Sequence, residues 1–221
     1  MNPTVEFLLS MSILIPLSIG IVRWKVIDNS YYPFLYNLVT VLLVELFIKM
    51  QTTEAAVNKT INIFSLIDFC LFAWLFHNWG LFNRNKKAIL AIVLGALPVW
   101  AGITFFLSGF SHINNAFLLL YSAALIFFSV TTFNKIVVQQ RINIFTNARF
   151  WICIGIIIFY SFFILTRATD ISTGVFKHVS KSFKDNLQLI NTYSNLFVNL
   201  LYAVAVIWIP RKKNITTLLL P

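Results

Sequence analysis

The sequence predicts an all-α fold, a polytopic transmembrane bundle of seven helices with the N-terminus outside and the C-terminus cytoplasmic. Three observations carry that prediction. Of the 221 residues, 59% are hydrophobic and only 11% are charged, whereas a soluble domain carries about 25% charged residues. Apolar runs recur along the whole chain, each near the roughly 20 residues that cross a hydrocarbon core of about 30 Å. Lys and Arg are shared unequally between alternate connections. With 23 Phe among its apolar residues, the chain is not of disordered composition. Seven spans use roughly 140 residues and leave about 80 for loops and tails. One domain over residues 1–221 follows, and any soluble catalytic module is expected on another chain.

The first run, residues 5–22, has Glu6 as its only early charge and is followed by Arg23 and Lys25. A cleavable leader carries its positive charge before the apolar stretch, so this run reads as a retained helix. The second helix covers residues 31–50, with Pro33 in its first turn, where a missing N–H does no harm. The third covers 61–79. The fourth covers 88–110 and carries Pro98 near its middle, a position that bends a helix. The fifth covers 116–133, with the option of running on to Val138, and the sixth covers 150–166. The seventh covers 186–209 and stops at Pro210 before Arg211, Lys212 and Lys213.

With the N-terminus outside, eleven Lys and Arg fall on the inner side and six on the outer. The positive-inside bias therefore supports this orientation. Such topological charge also accounts for the net charge of +10, and nucleic-acid binding is not expected from basic residues scattered over short loops. The longest connection, residues 167–185, places Val175, Phe176, Val179 and Phe183 at helical spacing with Lys177, Lys181 and Lys184 between them. It reads as an amphipathic helix in the outer interface, either a lid or a plain connector. Cys70 and Cys153 both lie inside apolar runs and read as small buried hydrophobes rather than a disulfide.

Ionisable groups inside a bilayer are costly and mark candidate sites. Glu45 in VLLVELF and Asp68 in SLIDFCLF are the two that stand out. Counted from the helix ends expected above, both fall about 8–10 Å below the outer boundary, so they can share one outward-facing cavity. Asn191, Asn195 and Asn199 repeat at i, i+4 and i+8, with Tyr202 following, and share one face of the last helix. Asn62, Ser65 and Asp68 share a face of the third, and Asn37, Val41 and Glu45 a face of the second. The sixth carries Tyr160, and the first carries Ser10 and Ser12. These groups converge either as an outward-open pocket or as hydrogen-bonded packing between helices. Arg167 can reach down to Glu45 or Asp68, or snorkel to the headgroups.

His77, Trp74 and Trp79 read as an interfacial belt. The other histidines, His112 and His178, fall at the opposite side, so no metal centre and no cofactor is expected. There is no GxSxG, no glycine-rich phosphate loop and no CxxC, and an enzyme is not the favoured reading. Asn58-Lys59-Thr60 and Asn214-Ile215-Thr216 match the short glycosylation pattern.

The stretches YYPFLYNLVTVLLVELF, NIFSLIDFCLFAWLF and VIWIPRKK resemble a family of small seven-helix bacterial membrane proteins of unassigned function. That resemblance implies seven helices and a bacterial inner membrane, and it implies no activity. At the position of Asp68 the family pattern more often shows Glu, which keeps a carboxylate. The seven-helix sugar transporters built from two three-helix repeats need paired prolines that Pro16 and Pro33 do not find in the second half. The seven-helix lipid-amide hydrolases need a histidine-rich zinc site.

The expected function is small-molecule or lipid sensing at an outward-facing polar pocket. Signalling would pass through a separate cytoplasmic or membrane protein partner. Glu45, Asp68, Asn191, Asn195, Asn199 and Tyr160 are the candidate ligand or proton sites, with Arg167 as a charge partner. A proton-linked transporter and an oligomeric effector or pore stay open beside it.

Overall fold

A computed structural model of the chain describes residues 3–82, 86–139, 143–170 and 180–212. All of its extended elements are helical: α1 (Pro3–Ser10), α2 (Leu14–Arg23), α3 (Tyr32–Met50), α4 (Glu54–Asn78), α5 (Lys86–Gly102), α6 (Asn115–Gln139), α7 (Ala148–Asp170) and α8 (Lys181–Trp208). Among the described residues the only β pairing is a single antiparallel bridge between Ile27 and Arg211. Six helices are long and apolar enough to cross a membrane, so this is a helical membrane bundle.

The first rod departs from expectation. It is broken by a 3-10 turn over Met11–Ile13, and its apolar part, Phe7–Arg23, is shorter than the other six spans. Pro16 explains the break: without an N–H it cannot bond the carbonyl four residues back, at Ser12. The third helix begins seven residues before the expected Ile61, at Glu54, because Asn58, outside the expected span, finds a partner there. α5 runs through Pro98 and widens into a π-helical segment, Ile103–Ser108. α6 runs on to Gln139.

The expected amphipathic helix of the long connection is not found as drawn. Phe183 and Lys184 belong to the first turn of α8, which Ser180 caps by accepting from the Phe183 N–H at 3.3 Å. Arg167 belongs to α7. Val175, Phe176, Lys177, His178 and Val179 lie outside the described residues.

Six rods close a ring in the order α3, α4, α6, α7, α8 and α1–α2. The fifth helix stands outside it against α4, and only 6% of its span is buried. The two ends of the ring differ. At the end where α2, α4, α6 and α8 finish, the interior is filled by Phe34, Phe76, Leu35, Leu75, Ile27 and Ile209. Gly80 turns the chain there at φ 81°. Its N–H bonds the His77 carbonyl at 2.9 Å and the Leu81 N–H bonds the Phe76 carbonyl at 3.0 Å, a Schellman motif that needs the left-handed glycine.

A clasp ties the first and last helices at this same end. The Arg23 guanidinium donates to the carbonyls of Val206, Ile207 and Ile209, the latter two at 2.6 and 3.0 Å. These carbonyls lie at the end of α8, where helical partners run out, and only that of Val206 also accepts from the Ile209 N–H, at 3.4 Å. The Asp28 N–H donates to Pro210 at 3.0 Å and the Lys212 N–H to Val26 at 2.8 Å. Trp24 stacks on Tyr32 at 5.1 Å, and Lys212 lies 5.0 Å from the Tyr32 ring centroid. Arg149 lies 5.6 Å from that of Trp79.

Candidate functional site

The opposite end of the ring holds a cavity of about 690 Å³. Its wall draws residues from all six rods of the ring and none from α5. The exposed side chains of Lys49 and Gln188 stand at its rim. Phe72 and Tyr202 stand near its floor.

Asp68 is the deepest charged residue of the wall and is only 2% exposed. It accepts from the Asn37 amide at 2.5 Å through Oδ1, and from the Tyr160 hydroxyl through Oδ2. Two donors on two other helices thus hold a carboxyl that would otherwise be unmatched in a low dielectric. Tyr160 sits in an aromatic cluster, with Tyr121 at 5.7 Å and Phe72 at 6.3 Å.

All seven residues singled out by sequence as binding groups or charge partner line this one cavity: Glu45, Asp68, Tyr160, Arg167, Asn191, Asn195 and Asn199. One geometric expectation is overturned. Glu45 and Asp68 do not lie at one depth and do not form a like-charge pair. Asp68 meets Asn37, and Glu45 lies eight residues further along α3, a rise of about 12 Å. The error came from the start of α4, which lies seven residues earlier than expected and so carries Asp68 deeper.

The stripe on α8 divides between structure and cavity. Asn199 donates to the Ser12 hydroxyl at 2.8 Å and approaches Asn195 Oδ1 at 3.5 Å, tying α8 to the first rod. The Asn191 Oδ1 is buried and accepts no hydrogen bond from the described residues. Arg167 lies 5.2 Å from the Phe163 ring centroid and lines the cavity wall. Ser10 also lines the cavity, and the side chain of Glu6 lies outside the described residues.

Asn62 belongs elsewhere. Its amide donates to the His112 carbonyl at 2.8 Å, and its Oδ1 accepts from the Asn114 N–H at 2.9 Å. Asn114 in turn donates to Thr104 at 2.8 Å and accepts from the Phe117 N–H at 2.9 Å. The result is a latch that fixes the turn between α5 and α6 and leaves the cavity untouched. Asn58 is part of it, donating to the Ser111 carbonyl at 3.0 Å, so its match to the glycosylation pattern is buried in a helix contact.

Sequence reasoning missed Tyr121, Thr192 and Gln188, all on the cavity wall. Tyr121 carried a signal, since it is the lone Tyr in the apolar run AFLLLYSAALIFF. Gln188 and Thr192 continue the α8 stripe at i−3 and i+1 from Asn191 and were legible on the same wheel. Among the described residues no group of three His, Cys, Asp or Glu is placed to hold a metal ion, and Cys70 and Cys153 are both free.

Compared with known proteins, the chain matches no family model, no curated protein and no solved structure.

Proposed function

We propose that the chain is a multi-pass protein of a bacterial inner membrane that binds a small molecule or lipid headgroup in this cavity and signals through a separate partner. The observation that carries the reading is the form of the cavity. Its volume of about 690 Å³ lies inside the range of ligand sites, polar groups from several helices converge on it, and it is blind. Below Tyr202 the ring interior is packed with fully buried Phe34, Phe76 and Leu75. A blind polar pocket suits binding and sensing better than passage through both leaflets. The clasp end, with Arg23, Lys25, Arg149, Arg211 and Lys212, is assigned to the cytoplasm by its charge, which turns the cavity outward.

The Asp68–Tyr160 contact favours one second reading, proton-linked transport, because a buried carboxyl hydrogen-bonded to a hydroxyl can carry a proton. A transporter would need the packed half to open.

The test is a high-resolution density map of the protein in native lipid, repeated for Asp68→Asn. Non-protein density bounded by Glu45, Asp68 and Asn195, lost in the variant, is the expected result. A space filled by side chains would overturn the reading.

A further inference from the structure

The reading above leaves the ligand's chemistry open, and the inference here rests on it. Two carboxyls and two cations line the cavity, Glu45 and Asp68 with Lys49 and Arg167, and each already has a partner in the chain. Asp68 is held by Asn37 and Tyr160. Glu45 meets the Ser10 hydroxyl. Lys49 lies 5.4 Å from the centroid of the Phe7 ring, which lines the same cavity. Arg167 lies over the Phe163 ring and is engaged within the chain as well. The formal charges cancel, and none waits for a counter-ion. A ligand with a net charge would give up its water and find no unspent opposite charge.

The α8 wall differs. Gln188, Asn191 and Asn195 climb one face of that helix and all line the cavity, a ladder of about 10 Å at 1.5 Å per residue. Asn199, below them, is spent on Ser12. Asn195 is bonded through Oδ1 alone, by the long contact of 3.5 Å from Asn199, so its side-chain N–H groups meet no partner among the described residues. The Asn191 Oδ1 accepts from none of them. An unmatched donor and an unmatched acceptor therefore stand one turn apart. Across the cavity is α4, opposite α8 in the six-rod ring. Above Asp68 its wall is Ser65, Phe64 and Ile61, and the Ser65 hydroxyl is turned to the Asn62 carbonyl at 2.7 Å. A wall of amides thus faces a wall that is apolar and aromatic.

We propose that the cavity binds an uncharged ring rich in hydroxyls, a sugar, with its hydroxyls on the amides of Asn191 and Asn195 and its C–H face on Phe64. A hydroxyl donates and accepts through one oxygen, and an amide does both through neighbouring atoms, so a run of hydroxyls matches a run of amides. A ketone or quinone only accepts, and it would leave the Asn191 oxygen unmatched. The C–H face of a sugar ring packs on the negative face of an aromatic. Two sources share this chemistry, a free sugar and the sugar headgroup of a glycolipid.

The experiment uses the full chain in nanodiscs and has two arms. In the first, D-glucose, D-galactose and N-acetyl-D-glucosamine are titrated beside D-glucuronate and D-glucosamine, which carry one charge on the same kind of ring. In the second, native mass spectrometry reads the lipid retained from nanodiscs of equal monoglucosyldiacylglycerol and phosphatidylglycerol. The expected result is a preference of about tenfold or more for the neutral sugar in one arm, which also identifies the source. Asn191→Leu and Asn195→Leu keep the bulk and lose the hydrogen bonds, and each is expected to weaken that binding by about tenfold. If a variant does not stay monodisperse, the preference of the unaltered protein decides alone.

No preference for the neutral sugar in either arm, or sugar binding unchanged in both leucine variants, would overturn the sugar proposal. Density in the cavity that disappears in Asp68→Asn would then leave the general binding reading standing. A cavity filled by side chains would end both.

Discussion

The two halves of the bundle are built from the same helices and solve opposite problems. Toward the rim, α8 presents Gln188, Asn191, Thr192, Asn195 and Asn199 to a cavity. Toward the clasp, the same helix buries Ala203, Ala205 and Val206 against its neighbours. Helix α3 changes over likewise, from Glu45 and Asn37 to Leu35 and Phe34. Tyr202 marks the boundary, lining the cavity above and meeting Phe34 edge-on at 5.1 Å below. Inside a bilayer apolar side chains gain little by leaving lipid, so packing quality holds the lower half together. The upper half gives up that packing and holds its polar groups by interhelical hydrogen bonds. The contrast teaches that the cavity is not a defect of a loose bundle, since the same rods bury Phe34, Leu35, Leu75 and Phe76 completely one or two turns lower.

The sharpest way to break the comparison is one truncation in each half. Phe76 is fully buried and packs on Trp79 at 5.5 Å and Phe128 at 5.8 Å. Phe76→Ala leaves a void of roughly 100 Å³, which at about 24 cal/mol per Å³ costs roughly 2 kcal/mol. Asn195→Ala only enlarges an existing cavity and gives up one long contact from Asn199 within α8, so it is expected to cost no more than about 0.6 kcal/mol, the mean for a hydrogen bond between membrane helices. Unfolding of both variants in the same lipid–detergent mixture checks this, and equal losses would mean that the upper half is packed like the lower.

Gly155 tests the boundary itself. A Cβ added there would lie 2.4 Å from the Tyr202 ring carbon Cε1, so Gly155→Ala must push the ring away from α7. The cost of such overpacking is about 1 kcal/mol or more. Because Tyr202 lines the cavity, ligand binding should change along with stability. A loss of stability with binding untouched would detach the floor of the cavity from the α7–α8 contact.

Much of this was legible in the sequence. The number and order of helices follow from apolar run length. The wall residues follow from spacing, because Asn37–Val41–Glu45 and Asn191–Asn195–Asn199 each fix a helix face whatever the neighbours do. Depth was not legible. The start of α4 was placed at Ile61 on hydropathy, whereas Asn58 lies inside the helix because the Ser111 carbonyl accepts its hydrogen bond. That partner lies some fifty residues away, and no local pattern announces it. The clasp was hidden for the same reason. Arg23 reads as a topological charge, yet its guanidinium caps the end of α8.

The clasp offers the smallest effect and the one that turns on pH. The Asp28 carboxyl is held below its ordinary value of 3.8, first by the Ser30 hydroxyl and then by the Ser30 N–H and the charges of Arg149 and Lys212, against the opposing pull of burial. The contacts from Ser30 measure 2.6 and 2.9 Å. A depressed carboxyl stabilises the folded state above the unfolded value, near pH 4, and that stabilisation is lost as pH falls through the folded value. Asp28→Asn should therefore lower the thermal midpoint slightly at pH 7, and the gap from the unaltered protein should close as the pH is taken below 4. Cavity variants such as Asn195→Ala carry no charge change and should keep their gap across the same range. A gap for Asp28→Asn that persisted at low pH would assign the Ser30 contact to shape rather than charge. The clasp would then hold α8 through the Arg23 guanidinium and the backbone bonds, with no share from the Asp28 charge.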